Sequence, residues 1–455
     1  MRSADVALCV DFGSTFTKAL LVDLTAGAVL AAAEHPTTLE TDVLDGYDAC
    51  LAALVDQDAR AADADVLACS SAGGGLRVAV VGNEELVTAE AGRRVALSSG
   101  GKVVGVIAES GRPPDGDAYA ALTRTTRPDV VLLTGGTDGG NADPLLAAAQ
   151  HLVEAGWTGP VVVAGNVAAR DDVADILGDV PHVLADNVVP RIGVLAPDSA
   201  RAAIREMFLA HVIGGKHLSK RADFTQMVRG ATPDVVLTGV ELLARGLDAE
   251  RAGAGDVVVV DVGGATTDVH SVVELDPEEG ALAREVVATT PVTRTVEGDL
   301  GMRWSAVTTV EAAGIDLADA ARRRHDEPGY LPDTDEEYAA DEAIAAAAVG
   351  LALRRHAGRS RVVVGPDGRV VERTGKDLRE VDLLVGSGGV LRNGRPGVAD
   401  RVLAGSTGDV EGGWQLPRAP RVVVDRDYVL AAAGLLAEPY ADAAYRLAKR
   451  LVGDG

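Results

Sequence analysis

Aromatic residues and long uninterrupted apolar runs are scarce in this sequence. Phe, Trp and Tyr make up 3% of the 455 residues, whereas 47% of the residues are hydrophobic. The cores must therefore be built from Ala, Val and Leu, which suits helices packed on parallel strands better than an all-β sandwich. A chain of this length can form two or three domains. We therefore expect an α/β fold.

Cysteine is also scarce, and the three cysteines form no CxxC pair. Two of Cys9, Cys50 and Cys69 stand in apolar runs, where a small buried thiol is the usual state. This pattern favours a reducing compartment. The apolar start of the chain is too short for a secretory signal peptide, and no uncharged apolar run reaches the roughly 18 residues that span a membrane. We expect a cytoplasmic protein with no membrane partner.

Positive charge is in deficit. Lys and Arg number 43 against 68 Asp and Glu, which gives a formal net charge of −25. Such a balance repels nucleic-acid phosphates and anionic lipids alike, so we expect no nucleic-acid partner. The acidic stretch HDEPGYLPDTDEEY is predicted to be a solvated loop rather than a metal site. His211 and His217 have the spacing of neither an HExxH motif nor a compact zinc site.

The apolar pattern predicts a strand arrangement that occurs twice. Strands at Val6 to Val10, Ala19 to Leu24 and Ala28 to Glu34 form an antiparallel meander, followed by a helix from Tyr47 to Arg60 and a strand at Val66 to Cys69. From about residue 76 to 186 strands and helices alternate, which indicates βαβ units that either extend the first lobe or form an inserted subdomain. We place the first lobe at 1–245 and the second, where the opening pattern returns, at 246–455.

The first candidate site is the turn in DFGSTFTK. It lacks the GxxxxGK[ST] order of a P-loop and continues into a strand instead of a helix. A tight hairpin can still direct backbone N–H groups and hydroxyls at phosphate oxygens, while an acid holds Mg²⁺ through water. Asp11 would be that acid, and the phosphate-facing candidates are Gly13, Ser14, Thr15 and Lys18. An ordinary capped β-turn is the alternative.

A second turn, DVGGATTD, repeats this order after four valines. The acid is Asp261, two glycines allow a close backbone approach, and two threonines supply hydroxyls; the candidate phosphate ligands are Gly263, Gly264, Thr266 and Thr267. Two facing hairpins of this kind could grip a metal-polyphosphate from both sides. The repetition makes a pair of unrelated turns the less favoured explanation.

Two further glycine-rich turns follow predicted strands. In VDLLVGSGGVLRN, the turn at Gly386, Gly388 and Gly389 leaves room for a flat purine or ribose, although a strand-to-helix connection explains it equally well. In LLTGGTDGGNADPLL, Asp143 is a candidate N-cap and Pro144 the first helical residue. This turn could bind an anion, could be only a tight connection, or could face a partner or the cleft at residues 138–141.

Together these strings resemble the phosphate-1, phosphate-2 and adenosine motifs of the actin, 70-kDa heat-shock chaperone and sugar-kinase ATPase superfamily. The resemblance implies two lobes, each with a five-stranded sheet of meander and βαβ topology, and Mg-ATP bound in the cleft between them. It implies that Asp11 and Asp261 organise Mg²⁺, that both hairpins hold phosphates and that the GSGG turn supports adenosine. The chaperones' catalytic lysine has no clear equivalent, because Lys18 lies within the turn, so the catalytic base stays open.

Within that superfamily the sequence resembles the glutamate mutase component L (MutL) family, which is unrelated to the mismatch-repair protein of that name. The supporting strings are CVDFGSTFTKALLVD, LLTGGTDGGN, DNVVPRIGVLAP, VVVVDVGGATTDVHSV, RTVEGDLGMRW and DLLVGSGGVLRN. The resemblance implies an ATP-driven chaperone or reactivating factor whose partner is an adenosylcobalamin-dependent mutase. Which mutase is served, and whether the chain forms a homo-oligomer, are left open.

Two other functions are compatible with the same fold. A small-molecule kinase of the sugar or acetate kinase type would need a general-base acid beside an acceptor pocket, and Asp138 and Asp299 are available. A filament-forming actin relative has no specific support in the sequence.

Overall fold

The structure is a computed structural model that describes residues 5–108, 116–274, 290–365, 368–408 and 411–453. The strands are β1 (Val6–Phe12), β2 (Phe16–Asp23), β3 (Ala28–Pro36), β4 (Asp65–Ser70), β5 (Leu76–Gly82), β6 (Gly101–Ala108), β7 (Val130–Leu133), β8 (Val161–Val163), β9 (His182–Leu184), β10 (Val228–Ala231), β11 (Val257–Val262), β12 (Thr267–Val272), β13 (Val292–Glu297), β14 (Arg359–Gly365), β15 (Gly368–Thr374), β16 (Leu383–Ser387) and β17 (Arg421–Val424).

The helices follow the same chain order. They are α1 (Val43–Gln57), α2 (Glu90–Ser98), α3 (Gly116–Ala121), α4 (Asp143–Glu154), α5 (Arg170–Leu177), α6 (Asp198–Met207), α7 (Ile213–Gly215), α8 (Asp223–Met227), α9 (Thr232–Arg245), α10 (Ala306–Ala313), α11 (Ala318–Asp326), α12 (Asp335–His356), α13 (Gly389–Arg392), α14 (Val398–Leu403), α15 (Val429–Leu436) and α16 (Ala441–Val452). Among the described residues, no helix combines the length and the apolarity that a bilayer crossing needs.

The first sheet has the strand order β10-β4-β1-β2-β3. Strands β1, β2 and β3 form an antiparallel meander, and β4 and β10 continue the sheet in parallel. Strand β1 is buried on both faces, as the unbroken apolar run before Asp11 predicts. The predicted meander, helix and fourth strand are confirmed.

The second sheet repeats this topology strand for strand. Its order is β13-β12-β11-β16-β17, in which β11, β12 and β13 form the meander and β16 and β17 lie parallel to β11. The recurrence expected from the two turns is therefore present in the backbone, and the expected α/β fold class with mixed sheets is confirmed. Strands β14 and β15 form a separate antiparallel pair, and residues 366–367 between them lie outside the described part.

The third sheet is wholly parallel and has the order β6-β5-β7-β8-β9. It confirms the alternation predicted for residues 76 to 186, with the additional short strand β9. One face contributes Val78, Val80, Val130, Leu132 and Val162 to the core that also contains β1 and β2. The other face has a core of its own with α4 and α5. The third sheet thus shares a hydrophobic core with the first.

The chain divides into two compact units. Unit 1 extends to Thr238 and also contains Gly434–Ala444. Unit 2 begins at Gly239, and the last segment of the chain, from Tyr445, belongs to it as well. The division falls within α9, a little before the boundary expected at 245/246, where this helix ends. The first and third sheets belong to unit 1, and the second sheet belongs to unit 2.

Helix α12 organises arginines from several segments of unit 2. Arg324 is fully buried and pairs with Asp341 and, at 2.9 Å, with Glu337. Glu342 accepts from Arg401 Nε at 2.7 Å and Arg395 Nη2 at 2.9 Å. The hydrogen bonds from Arg401, and then those from Arg395, lower the pKa of Glu342 to about 2, against the opposing effect of burial.

We expect Glu342→Gln to lower the free energy of unfolding at pH 7 by about 2 kcal/mol, because two guanidinium groups lose a charged acceptor. The pKa of Glu342 is lower in the folded than in the unfolded chain, so its contribution is complete above about pH 4.3 and is lost as the pH falls towards 2. Urea midpoints followed by tryptophan emission from pH 7 to 2 would measure this. The exposed Glu311→Gln is the control, and an acid dependence as steep in Glu342→Gln as in the parent would contradict the assignment.

Candidate functional site

The two candidate hairpins close in the same way. The N–H of Gly13 donates to the carbonyl of Phe16 at 3.1 Å, and the N–H of Gly263 donates to the carbonyl of Thr266 at 2.9 Å. The strand registers place Asp11 opposite Lys18 and Asp261 opposite Asp268. In each unit an acid is therefore the last but one residue of the central strand, two residues before the glycine of the turn.

The turn in unit 1 directs its carbonyl groups into the protein. The carbonyls of Gly13 and Thr15 accept from the Thr37 hydroxyl at 2.8 Å and the Thr37 N–H at 2.9 Å. Ser14 and Thr15 are exposed, and among the described residues no oxygen accepts from their N–H groups. Successive unbonded N–H groups at a turn form a concave site for an anion.

Asp11 lies in a small polar cluster at the end of β1. Its Oδ1 accepts from the Thr232 hydroxyl at 2.6 Å and lies 3.6 Å from Cys69 Sγ, and its Oδ2 lies 4.0 Å from Lys18 Nζ. Burial, and next the charge of Asp11, raise the pKa of Cys69, which remains a thiol. No pattern in the sequence had pointed to Thr232. The Thr-Pro-Asp start of α9 was the signal that could have located it, since Pro is favoured in a first helical turn.

The turn in unit 2 is braced by the segment 301–305. The carbonyls of Gly263 and Gly264 accept from the N–H groups of Met302 at 2.9 Å and Arg303 at 2.8 Å, and the carbonyl of Ala265 accepts from the Ser305 hydroxyl at 2.6 Å. In the described chain no oxygen accepts from the N–H groups of Gly264 and Ala265. The arrangement found in unit 1 thus recurs, with carbonyls bound from behind and N–H groups left for a ligand.

The two threonines of the second turn have partners within the protein. Thr266 donates to Asp268 Oδ2 at 3.1 Å, and the buried Thr267 donates to the carbonyl of Leu300 at 3.1 Å. Asp268 also accepts from the buried Arg294 at 3.0 Å. Thr267 occupies the position that Thr17 has in the first hairpin, and both are buried. A phosphate contact of Thr266 or Thr267 stays a prediction.

The GSGG turn lies beside the second hairpin. Strand β16 is parallel to β11, and Ser387 is registered with Asp261. Gly388 has φ 108°, and a Cβ there would lie 2.2 Å from the carbonyl oxygen of Val262. A Cβ on Gly386 would lie 2.8 Å from Leu391, whereas one on Gly389 would meet nothing within 4 Å. Packing therefore requires Gly388 and crowds Gly386, while Gly389 opens onto free space.

No group of three or more His, Cys, Asp or Glu side chains in the described chain has an arrangement that could hold a metal ion by itself. Mg²⁺ bound with phosphates keeps several waters and needs only one or two carboxylates. A single acid at each hairpin, at Asp11 and at Asp261, is a donor set of that kind. The metal assignment of these two residues is compatible with the geometry and stays a prediction.

The loop at 134–141 is held by two buried amides at the carboxyl edge of the third sheet. Asn166 binds Gly139 and Gly140, and Asn187 donates to Asp138 Oδ1 at 2.9 Å. The predicted N-cap at Asp143 is wrong: α4 begins at Asp143, and the Asn141 side chain accepts from the Asp143 N–H at 3.0 Å. Asn141 reaches this N–H because Asp143 already has helical geometry.

The acids considered for a kinase base have structural partners. Asp138 Oδ1 also accepts from the N–H of Val167 at 3.2 Å. Asp299 pairs with Arg355 at 2.7 Å, and hydrogen bonds from Arg355 lower the pKa of its carboxyl group. A lowered pKa makes Asp299 a weaker proton acceptor.

We expect Gly388→Ala to destabilise unit 2 by about 2–4 kcal/mol, because a side chain would require a strained φ and would overlap the backbone of β11. Gly389→Ala is the matched control and should remain within about 1 kcal/mol of the parent. Thermal and urea unfolding would test this pair. Equal stability of the two variants would show that the turn does not depend on the contact between Gly388 and Val262.

Comparison with known proteins identifies relatives along the whole chain. The MutL protein family model matches residues 7–452. Protein MutL of Clostridium tetanomorphum is 35% identical over 463 residues, which cover 98% of this chain and 99% of that protein. Distant matches among solved structures include nucleotide-free acetone carboxylase (14% identity, TM-score 0.39, 95% of this chain and 70% of that one). Another is the activator of the 2-hydroxyisocaproyl-CoA dehydratase from Clostridium difficile with bound ADPNP (9% identity, TM-score 0.30, 96% and 95%). The chain belongs to the MutL protein family.

Proposed function

We propose that this protein binds and hydrolyses Mg-ATP and uses the cycle to reactivate an adenosylcobalamin-dependent mutase of the glutamate mutase type. One observation supports nucleotide binding above all others. Two hairpins with the same closing hydrogen bond each carry an acid and two N–H groups for which no described residue is an acceptor. The mutase partner is supported by membership of the MutL protein family and by the motifs that the chain shares with it.

Each hairpin would contribute separately to binding. The N–H groups of Ser14 and Thr15, and those of Gly264 and Ala265, would donate to phosphate oxygens. Asp11 and Asp261 would hold waters of Mg²⁺, and the bound ion would neutralise charge that develops on the transferred phosphoryl group. The turn from Gly386 to Gly389 would support the adenosine.

Thr232 would act on Asp11 instead of on the nucleotide. Its hydroxyl binds one carboxylate oxygen at 2.6 Å and so limits the rotation of the side chain. The other oxygen lies near Lys18, which can also contact a phosphate. The acid would therefore meet the metal waters in one defined orientation, which is the usual role of a partner behind a metal ligand.

Reactivation imposes a thermodynamic requirement on the nucleotide cycle. A nucleotide shifts a conformational equilibrium only as far as its affinities for the two states differ. The ATP and ADP forms must therefore bind the mutase with different affinities. A small-molecule kinase is the competing function, and no contact in the described chain specifically favours it.

We expect Asp261→Asn to reduce Mg-dependent ATP turnover by a factor of about 100 or more while the chain stays folded, because a neutral amide holds the metal waters poorly. Turnover would be measured with and without a glutamate mutase inactivated by damaged cofactor, followed by mutase activity after addition of free adenosylcobalamin. Unchanged turnover would reject the metal assignment. Absence of rescue together with phosphorylation of a metabolite would establish the kinase instead. Glu311→Gln serves as the control.

Thr232→Val should raise the Mg²⁺ concentration that gives half-maximal turnover and lower the rate by about 10-fold, because a hydrogen bond to a charged acceptor is lost. Thr232→Ser retains the hydroxyl and should behave like the parent chain. The pair separates loss of the hydroxyl from loss of packing. A Thr232→Ser variant as impaired as Thr232→Val would show that the methyl group, not the hydroxyl, matters.

A further inference from the structure

Unit 2 exposes two large apolar side chains on segments that Arg303 connects. Trp304 is 53% exposed and Leu331 is 76% exposed. Arg303 joins their segments, since its guanidinium donates to the carbonyls of Pro328 at 3.2 Å and Tyr330 at 3.1 Å. We use the name Trp304 patch for Trp304 together with residues 325–331, which include Leu331. Exposed apolar side chains that occur together usually mark an interaction site.

The loop that carries Leu331 is held in place by contacts with arginine side chains and with the backbone of Trp304. Tyr330 lies under two guanidinium groups, with Arg323 at 4.0 Å and Arg324 at 5.5 Å from its ring centroid. His325 Nδ1 is 2.9 Å from the carbonyl oxygen of Trp304. The exposure of Leu331 therefore arises from a bonded loop, and a partner would order little additional chain on binding.

The charge around the patch selects the chemistry of the partner. Residues 325 to 336 include five exposed acids and no Lys or Arg. Asp335 pairs with Arg395 at 3.0 Å, whereas no ion pair is found in the described chain for Asp326, Glu327, Asp333 and Glu336. The neighbouring Arg323 and Arg324 both pair with Glu337. The whole chain has a formal net charge of −25, so a second copy of it and an anionic bilayer would both be repelled. A polypeptide with basic residues around an apolar face would be attracted.

The patch is connected to the second hairpin through the backbone. Trp304 lies in the segment 301–305, which binds the carbonyls of three consecutive residues of the turn, Gly263, Gly264 and Ala265. A Cβ on Gly301 would come within 2.7 Å of the Gly264 carbonyl oxygen, so the two segments are in close contact. A Cβ on Gly264 would also lie 4.0 Å from Trp304 Cδ1. A ligand on the turn and a partner on the patch would therefore both act on the segment 301–305.

We propose that the Trp304 patch is the docking surface for a basic protein segment with an apolar face, and that its occupancy is coupled to the turn at 263–265. The docking stands without the proposed function, whereas the coupling rests on nucleotide binding at that turn. A docked partner would cover the indole and Leu331. Its basic residues would face the acids of residues 325 to 336.

The test uses the full chain and a synthetic helical peptide with Leu on one face and Lys on the other. Calorimetric titration should show binding that Leu331→Asp weakens by 10-fold or more. Ile192→Asp, a matched change of an aliphatic residue 80% exposed in unit 1, should leave it unchanged. In a Trp157→Phe/Trp414→Phe chain, emission from Trp304 should shift to the blue as the indole leaves water.

In the coupling test, the affinity of the chain for the peptide should differ by about 3-fold or more between the ATP-bound and ADP-bound forms.

Four results would overturn the docking proposal: no binding of the Lys peptide, equal binding to Leu331→Asp and the parent chain, equal binding of a peptide with Glu in place of Lys, or a comparable shift with phosphatidylglycerol vesicles. Peptide binding with no nucleotide dependence would remove only the coupling. ATP turnover, measured on the same preparations, separates this result from failure of the proposed function. Leu331→Asp should retain basal turnover.

Discussion

The hydrogen bond that closes each hairpin, from a glycine N–H to the carbonyl three residues later, is the constraint on which the candidate site depends. It forces the chain to reverse its direction within three residues, and the reversal begins two residues after an acid. Other segments then bind the carbonyls of the turn from behind, Thr37 in unit 1 and residues 302–305 in unit 2. Because a peptide group directs its N–H away from its carbonyl, the bonds to the carbonyls of Gly13, Gly263 and Gly264 present the N–H groups of Ser14, Gly264 and Ala265.

The two hairpins share a backbone but differ in charge. The residue opposite the acid is Lys18 in unit 1 and Asp268 in unit 2. Lys18 lies 4.0 Å from Asp11, and Asp268 is neutralised by the buried Arg294. One turn therefore has its cation beside the acid, and the other keeps its cation in the core. The two hairpins therefore have the same strand topology but a different arrangement of charged side chains.

The sequence predicted well those features that repeat or that are long. Both meanders and the parallel alternation of 76 to 186 follow from periodic apolar residues. Strands β10 and β17 were missed, although they occupy the same position in the two sheets. Each has four residues, too few to show a period, and each forms only because a neighbouring strand offers a free edge.

Side-chain partners from distant segments were beyond the reach of sequence patterns. The contact of Thr232 with Asp11 joins residues 221 positions apart, and no local pattern reports such a pairing. The N-cap predicted at α4 failed for a local reason, because the helix already begins at Asp143 and its N-cap position falls on Ala142, which has no side-chain acceptor. The glycines of the GSGG turn were recognised as a group, yet only geometry distinguishes the packed Gly388 from the open Gly389.

The core that the first and third sheets share has a consequence for how this protein can change in evolution. Val78, Val80, Val130, Leu132 and Val162 lie in the same cluster as Leu8, Val10 and Phe12, the strand that leads into the first hairpin. Deleting the third sheet would remove part of this cluster. A shortened descendant would have to replace the apolar packing of this cluster before it could lose the segment. We therefore expect length changes to accumulate in connecting loops rather than by removal of the whole sheet.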